Sequence, residues 1–385
     1  MQRANPLLTR LQTVLPKIAE NAPLAEELRQ APQESIDLLK QVGLHKAFLP
    51  KAYGGYEISL PEFGDCIVAL AGACASTAWA FSLLCTHNHQ IGLFPKQAQD
   101  DMWKDDPDAL ASSSIAPFGK YLEADGGVMF TGDMRWSSGC DHAQWALCGF
   151  LRDNAEGKKD HCFALIPATD YTIDDDWQAA AMKGSGTKTL VIRDKFVPEH
   201  RIQKAKDMME GKSGGFGLYP YSKIFYAPYR PYFASGFSAI AERMLAVFKE
   251  ATQGRIRAYT GAKVGTATPA LLRIAESSHQ VMAARAFLEK TWEDHAEYAE
   301  AHRYPDQAKL AEWRTNQAYV VKMCIEAVDR LFSSMGASHW YLDKEAQRLF
   351  RDSHVTGAHA YTDYDVCAQI FGREVMGLEP DPSLL

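Results

Sequence analysis

The chain has 385 residues, a formal net charge of -7 and 46% apolar residues. That length is enough for two or three domains and a large core. The acidic balance and the lack of a Lys/Arg-rich run argue against a nucleic-acid binder, and no apolar run is long enough to span a bilayer.

Residues 6–30 repeat Leu7, Leu8, Leu11, Leu15, Ile18, Ala22, Ala25 and Leu28 at helical spacing. Met1 to Leu7 lead into this helix with no apolar stretch, so no signal peptide is expected. A second helix is expected from Glu34 to Val42, ended by Gly43. Pro50 to Tyr56 reads as a loop. Pro61 opens a third helix, Glu62 to Ala75, and Ser76-Thr77 caps a fourth, Ala78 to Leu93. A short fifth helix covers Lys96 to Lys104. A helical domain is therefore expected over 1–108.

At Ala109 the period changes to alternation. Ala111 to Ala116, Val128 to Trp136, Ala143 to Leu151, His161 to Ile166, Tyr171 to Trp177 and Thr189 to Val197 read as strands between turns rich in Gly, Asp and Asn. Antiparallel strands at this spacing predict a barrel or sandwich over 109–212. Gly126-Gly127 has the composition of a tight hairpin turn. The strand after it closes on Arg135-Trp136-Ser137-Ser138-Gly139-Cys140-Asp141-His142. A Trp can lie flat against a planar aromatic ligand, and Ser hydroxyls and backbone N–H groups can donate to its ring nitrogens and oxygens. The plain alternative is a strand end with a core Trp and a polar turn.

Residues 211–231 form a Gly/Tyr/Pro-rich connector of the long irregular kind that is usually functional or mobile. The helical period then returns over Ala234 to Gly254, Leu271 to Ala301, Asp306 to Ser334 and, with breaks, Lys344 to Gly372. Long amphipathic helices in series predict a bundle over 213–385. The eight cysteines form no C-x-x-C pair and read as buried thiols in a reducing cytoplasm. Gly184-Ser185-Gly186-Thr187 leads into a strand, so it is no dinucleotide fingerprint and no nicotinamide site is expected. There is no Walker loop, no G-x-S-x-G elbow and no H-E-x-x-H. His87 and His89, two apart on a helix, cannot share a face, so no metal site is expected.

Helical domain, β-barrel and four-helix bundle, in that order, resemble the acyl-CoA dehydrogenase fold, an α+β architecture that is mostly α. Gly184 to Ile192 with Phe196-Val197-Pro198 resembles the end of that superfamily's barrel. Leu84 to Gln90, Ala111 to Pro117, Trp136 to His142, Pro228 to Phe233 and Gly357 to Tyr361 are similar to its flavin monooxygenase branch. Together they resemble the oxygenase components of two-component phenol hydroxylases, over nearly the whole chain. The chain departs from them in lacking an N-terminal extension and in being a few residues shorter between Phe237 and Glu242. The likeness to acyl-CoA dehydrogenases proper fails at their catalytic glutamate: the comparable stretch, His359 to Tyr364, contains none.

The resemblance implies the following chemistry. Reduced FMN, with reduced FAD as an alternative, diffuses in from a separate NADH-dependent flavin reductase. Dioxygen adds at the flavin C4a carbon, and the hydroperoxide hydroxylates a phenolic acid ortho to its hydroxyl, p-hydroxyphenylacetate giving 3,4-dihydroxyphenylacetate. A homotetramer in the cytoplasm is implied as well. His87, Ser138 and His359 become catalytic: His87 accepts from the phenol oxygen, Ser138 meets flavin N5, and His359 lies beside the flavin's reactive edge. Ser113 faces the phenol and the cofactor. Arg230 and Phe233 guard the substrate entrance, where Arg230 attracts an aryl carboxylate. Trp79, Trp136, Ser137, Ala337, Ser338 and Ala360 line the flavin. Arg255, on one helix face with Tyr259, matches a phosphate contact reached from a neighbouring subunit. Each has an ordinary alternative: a lone His on an apolar helix is a satisfied core residue, a surface Arg is solvated, and Trp79 is core packing. The rival functions are a same-fold hydroxylase of another phenol, such as a steroid-derived one, an acyl-CoA oxidoreductase with tightly bound FAD, and a non-enzymatic helical scaffold.

Overall fold

The computed structural model describes residues 4–209, 212–214, 235–301 and 303–379. They fall into two compact units. The first takes in the described residues of 4–63, 76–179 and 183–214; the second takes in 64–75, 180–182 and 235–379.

The first unit opens with α1 (Pro6–Gln12), α2 (Leu15–Glu20), α3 (Ala22–Leu28) and α4 (Gln33–Gln41). The apolar repeat over 6–30 predicts one helix, and the chain makes three. Pro16 and Pro23 are the reason. Each sits in the first turn of a new helix, where a missing N–H leaves no bond unmade. Gly43 follows α4 in the left-handed region, with φ 84°. Next along the chain come α5 (Leu60–Ala73), most of which belongs to the second unit, and then α6 (Ala75–Gly92) and α7 (Lys96–Trp103). From Ser76 to Gly92 only Trp79 and Leu83 are not fully buried, so α6 is enclosed on every side. Two of its hydroxyls bond to its own backbone: Ser82 Oγ donates to the Trp79 carbonyl at 2.9 Å and Thr86 Oγ1 to the Leu83 carbonyl at 3.0 Å.

Seven strands follow: β1 (Ala111–Ala124), β2 (Gly127–Ser137), β3 (Trp145–Asp153), β4 (Lys159–Pro167), β5 (Thr172–Asp174), β6 (Lys188–Pro198) and β7 (Ile202–Lys204). Their order is β5-β6-β2-β1-β3-β4-β7. The alternation predicts antiparallel neighbours throughout, yet β1 and β3 run parallel. The cause is that β2 turns back along one edge of β1 and β3 takes the other edge. β1 gives Lys120–Ala124 to β2 and Ala111–Ser114 to β3, so it passes from one half-sheet to the other. Phe130, Leu190 and Ile192 of one half share a core with Phe150, Ala164 and Ile166 of the other. The two halves thus enclose a filled interior, as in a small barrel. The β1–β2 turn is Asp125-Gly126, one residue earlier than the Gly-Gly pair suggests, because Gly127 already pairs with Ala124. The expected strand over 171–177 shortens to three exposed residues at the sheet edge. α8 (Ala205–Met209) follows β7.

The second unit is helical: α9 (Ser235–Gln253), α10 (Thr268–Glu300), α11 (Gln307–Phe332), α12 (Glu345–Gly357) and α13 (Tyr364–Val375). The Asp306 carboxylate caps α11 by accepting from the Lys309 N–H. α11 packs against each of the other four helices. Val281, Ala284, Leu288 and Trp292 on α10 and Val321, Cys324 and Val328 on α11 recur every three or four residues and are all buried. Among the described residues no helix is long and apolar enough to cross a membrane.

Candidate active site

Strand alternation selects the serine that faces α6. Ala111 and Ser113 point one way from β1, and Ser112 and Ser114 point the other. Ser114 is buried and donates to the Arg135 carbonyl at 2.6 Å. On the opposite face, His87 Nδ1 lies 2.6 Å from the Ala111 carbonyl and Nε2 lies 2.8 Å from Ser113 Oγ. A carbonyl only accepts, so the Nδ1 position carries the hydrogen. The neutral ring then has a lone pair at Nε2, and the Ser113 hydroxyl donates to it. The imidazole is 1% exposed. Sequence-predicted His87 and Ser113 are thus brought into direct contact, with the acceptor nitrogen turned toward the serine. His89, also buried, does not join them. Among the described residues no three His, Cys, Asp or Glu side chains converge as metal ligands.

The Trp136–His142 stretch leaves β2 through two left-handed residues, Trp136 (φ 63°) and Gly139 (φ 70°). A Cβ on Gly139 would press to 3.2 Å from Leu84 and 3.3 Å from Ala80, both on α6, and the Gly139 N–H donates to the Ser185 carbonyl at 2.9 Å. The turn is clamped between α6 and the Lys183–Ser185 turn. Ser138 Oγ accepts from Trp79 Nε1 at 3.1 Å and lies 2.8 Å from Thr187 Oγ1. A hydroxyl has one hydrogen and two lone pairs, so Ser138 keeps one hydrogen-bonding position beyond these two partners. Ser137 is 0% exposed, and its Oγ has no hydrogen-bond partner among the described residues.

Trp136 is the reverse case. An aromatic residue held left-handed is strained by roughly 1–3 kcal/mol, yet its ring is 61% exposed and meets Phe118 edge-on at 5.6 Å. Packing among the described residues does not account for that backbone, and the exposed ring offers a stacking surface. Trp136→Gly should therefore leave the thermal midpoint unchanged or slightly raised while weakening flavin binding. A large drop in the midpoint would make the ring structural. Trp136 also borders a cleft of about 360 Å³, but Asp133, Arg135, Asp174, Asp176 and Arg193 line it. That charge suits no apolar ring.

Two further residues hold this turn. Lys188 is 5% exposed; its Nζ donates to Asp141 Oδ1 at 2.7 Å and to Gln30 Oε1 at 3.2 Å. Burial pushes the Cys140 thiol up to about 12, so it stays protonated and inert. Residue-type reasoning missed Lys188, Thr187 and Ser185. The only signal for the last two was the Gly184–Thr187 stretch, where the glycines drew attention and the hydroxyls did not.

In the second unit, Arg255 and Tyr259 do not share a helix face. α9 ends at Gln253, and Ile256 bridges to Lys263 across a turn with Gly261 left-handed. Gly254 and Gly261 break the helix that the i, i+4 spacing assumes. Arg255 Nη1 donates to the Ser334 and Met335 carbonyls beyond the end of α11. Its Nη2 would be 2.5 Å from a Cβ on Gly336, whose φ is 88°. Ala337 and Ser338, on the short turn that follows, are exposed beside it. Tyr259 is fully exposed.

His359 and Ala360 lie between α12 and α13. The His359 carbonyl accepts from the Thr362 and Asp363 N–H groups at 2.8 and 3.0 Å. Its Nδ1 accepts from the Tyr361 N–H at 3.2 Å, so the ring's hydrogen belongs on Nε2 and makes that nitrogen a donor. Burial pushes the imidazole down to about 4 from 6.5. It is neutral at physiological pH. Folding favours the neutral ring, so as pH falls from 6.5 toward 4 the unfolded chain takes up a proton that the folded chain refuses. His359's share of stability is lost in that window. His359→Gln should therefore lose less of its thermal midpoint than wild type on going from pH 7 to pH 5; an equal loss would place the ring in solvent. Arg230 and Phe233 lie outside the described residues.

Within the first unit, the exposed Trp136 ring and the remaining hydrogen-bonding position on Ser138 suit a planar, nitrogen-rich ring such as flavin. Residues 234–364 match the family model described as "Acyl-CoA dehydrogenase, C-terminal domain". The chain is 65% identical, over 98% of its length and 91% of the relative, to the p-hydroxyphenylacetate 3-hydroxylase oxygenase component of Acinetobacter baumannii. It is 32% identical, over 99% of its length and 98% of the relative, to a flavin-dependent monooxygenase oxygenase subunit, HsaA, of Mycobacterium tuberculosis. The crystal structure of 3-HSA hydroxylase from Rhodococcus sp. RHA1 superposes with a TM-score of 0.92 at 32% identity, covering 99% of both chains.

Proposed function

Given that the chain belongs to the family of flavin-dependent monooxygenase oxygenase components, we propose that it hydroxylates p-hydroxyphenylacetate ortho to the phenol oxygen, giving 3,4-dihydroxyphenylacetate. The enzyme is a monooxygenase that consumes reduced flavin and dioxygen, and a separate flavin reductase supplies the reduced cofactor. We take the flavin to be FMN, the reductase to use NADH, and the location to be the cytoplasm. One oxygen atom enters the ring and the other leaves as water, with two electrons coming from the reduced flavin. When bound, that flavin supplies the activation of dioxygen.

The observation that carries the reading is the His87–Ser113 pair. A phenol becomes nucleophilic at its ortho carbon when its oxygen gives up, or shares, its proton. His87 presents an acceptor at Nε2 because the Ala111 carbonyl fixes the hydrogen on Nδ1. Ser113, 2.8 Å away, can pass the interaction on. The polypeptide's remaining tasks are orientation and exclusion of water. In the first unit, Ser138 presents a hydroxyl to the flavin, and Trp79 and Trp136 flank it.

We further propose a homotetramer. Trp340, Tyr341 and Leu342 are consecutive in sequence and 58, 68 and 80% exposed. Such a run supports burial against a second copy. Arg255 keeps its proposed phosphate role through the guanidinium nitrogens that do not hold the Ser334 and Met335 carbonyls.

The deciding experiment mixes the purified chain with photoreduced FMN, then oxygenated buffer, with and without p-hydroxyphenylacetate, and quantifies catechol. NADH with oxidised FMN and no reductase should give none. Catechol from NADH without a reductase would defeat the two-component reading. A faster reaction with a fused-ring phenol would move the substrate to another phenol class.

A further inference from the structure

We propose that Thr187 is a positioning residue that lets the Ser138 hydroxyl reverse its hydrogen bond, so that one serine serves both redox states of the flavin. The proposal rests on the reading that Ser138 meets flavin N5.

Four groups form a chain. Trp79 Nε1 lies 3.1 Å from Ser138 Oγ, Ser138 Oγ lies 2.8 Å from Thr187 Oγ1, and Thr187 Oγ1 lies 2.7 Å from Ser185 Oγ. Ser138, Thr187 and Ser185 are 5, 9 and 1% exposed. An indole N–H only donates, so one lone pair of Ser138 is committed to Trp79. One hydrogen and one lone pair remain, to be divided between Thr187 and whatever faces Ser138. A bond between two hydroxyls can run in either direction. If Ser138 donates to Thr187, it turns a lone pair outward, and Thr187 can donate to Ser185. If Thr187 donates to Ser138, Ser138 turns its hydrogen outward, and Ser185 can donate to Thr187. Both orders satisfy the bonds among Trp79, Ser138 and Thr187.

Flavin chemistry requires both orders. N5 of the oxidised ring is an acceptor and needs the outward hydrogen; N5 of the reduced ring carries a hydrogen and needs the outward lone pair. The clamped turn at Gly139 holds Ser138 in place, so the reversal is a hydroxyl rotation and no loop has to move. Valine at 187 would keep the shape and remove the partner. Ser138 could still donate to oxidised N5. Facing reduced N5–H, its own hydrogen would be buried without an acceptor, which costs free energy on the reduced side alone.

The test measures dissociation constants for oxidised FMN and, anaerobically, for reduced FMN, together with the midpoint potential of the bound flavin. Wild type, Thr187→Val, Thr187→Ser and Ser138→Ala are compared. Thr187→Val should bind reduced FMN about tenfold more weakly with oxidised FMN unchanged. Its bound midpoint potential should fall by about 30 mV, the two-electron equivalent of tenfold. Thr187→Ser should match wild type, and Thr187→Val placed in Ser138→Ala should add nothing. If Thr187→Val weakens both states equally, or neither, while Ser138→Ala still changes their ratio, the role of Thr187 is overturned and Ser138 keeps its place. If Ser138→Ala changes neither constant, the contact between Ser138 and N5 is itself wrong and the proposal falls with it.

Discussion

His87→Ala should lower catechol formation by a factor of about 10²–10⁴, the usual contribution of a positioned proton acceptor, while oxygen is still consumed. The imidazole is held at both nitrogens, at 2.6 Å by the Ala111 carbonyl and at 2.8 Å by Ser113. Truncation removes the acceptor and leaves the Ser113 hydroxyl without the group that orients it. The phenol oxygen then keeps its proton, and the ortho carbon stays a poor nucleophile. Flavin affinity does not depend on His87 in this reading and should be unchanged, with the consumed oxygen recovered as hydrogen peroxide. His87→Asn should restore part of the yield, because an amide can still hydrogen-bond the phenol. It also guards against the cavity that alanine leaves at a 1% exposed position. Product analysis under single-turnover conditions, counting catechol against peroxide, measures the effect. Full catechol yield at the wild-type rate from His87→Ala would reduce the imidazole to a packed core residue.

Lys188→Ala should cost about 3–5 kcal/mol of stability, the range for removing one partner of a buried ion pair. Lys188 is 5% exposed and bonds Asp141 at 2.7 Å, and the Asp141 side chain is 16% exposed. Without the ammonium, that carboxylate is left with little access to water and no counter-charge nearby of equal quality. The turn carrying Ser138 would loosen, so flavin binding should weaken along with the thermal midpoint. Lys188→Met with Asp141→Leu should recover much of the loss, since the penalty belongs to the stranded charge and not to the missing bond. A double variant as unstable as the single one would show that the pair itself, and not the orphaned carboxylate, supports the turn. Chemical denaturation of the single and double variants separates the two.

Local pattern was enough for most elements. Alternation located β1, β2, β3, β4 and β6 to within a few residues apart from the longer reach of β1, and helical spacing located α6, α10 and α11. Where one local rule overrode another, the reading failed: prolines 16 and 23 divided one apolar stripe into three helices, and Gly254 stopped α9 before Arg255 and Tyr259 could share a face. Strand pairing was not local at all. Nothing in the composition of β3 says that it lies parallel to β1, because that depends on which edge β2 has already taken.

The candidate site divides in the same way. Residue order is enough to show which residue types are present, that Ser113 and Ala111 share a strand face, and that Trp136 and Ser138 close a strand. Those follow from a period of two and need no partner. The tertiary structure alone decided what the side chains are chemically. Ala111, 24 residues from His87, sets its tautomer; Thr187, 49 residues from Ser138, and Trp79, 59 residues from it, divide its lone pairs and hydrogen. A hydrogen bond is specified by distance and direction between two groups, and a repeat in the chain encodes neither for groups so far apart. Burial acts likewise: His359 has an ordinary imidazole in the unfolded chain and becomes a neutral donor only where packing strips it of water.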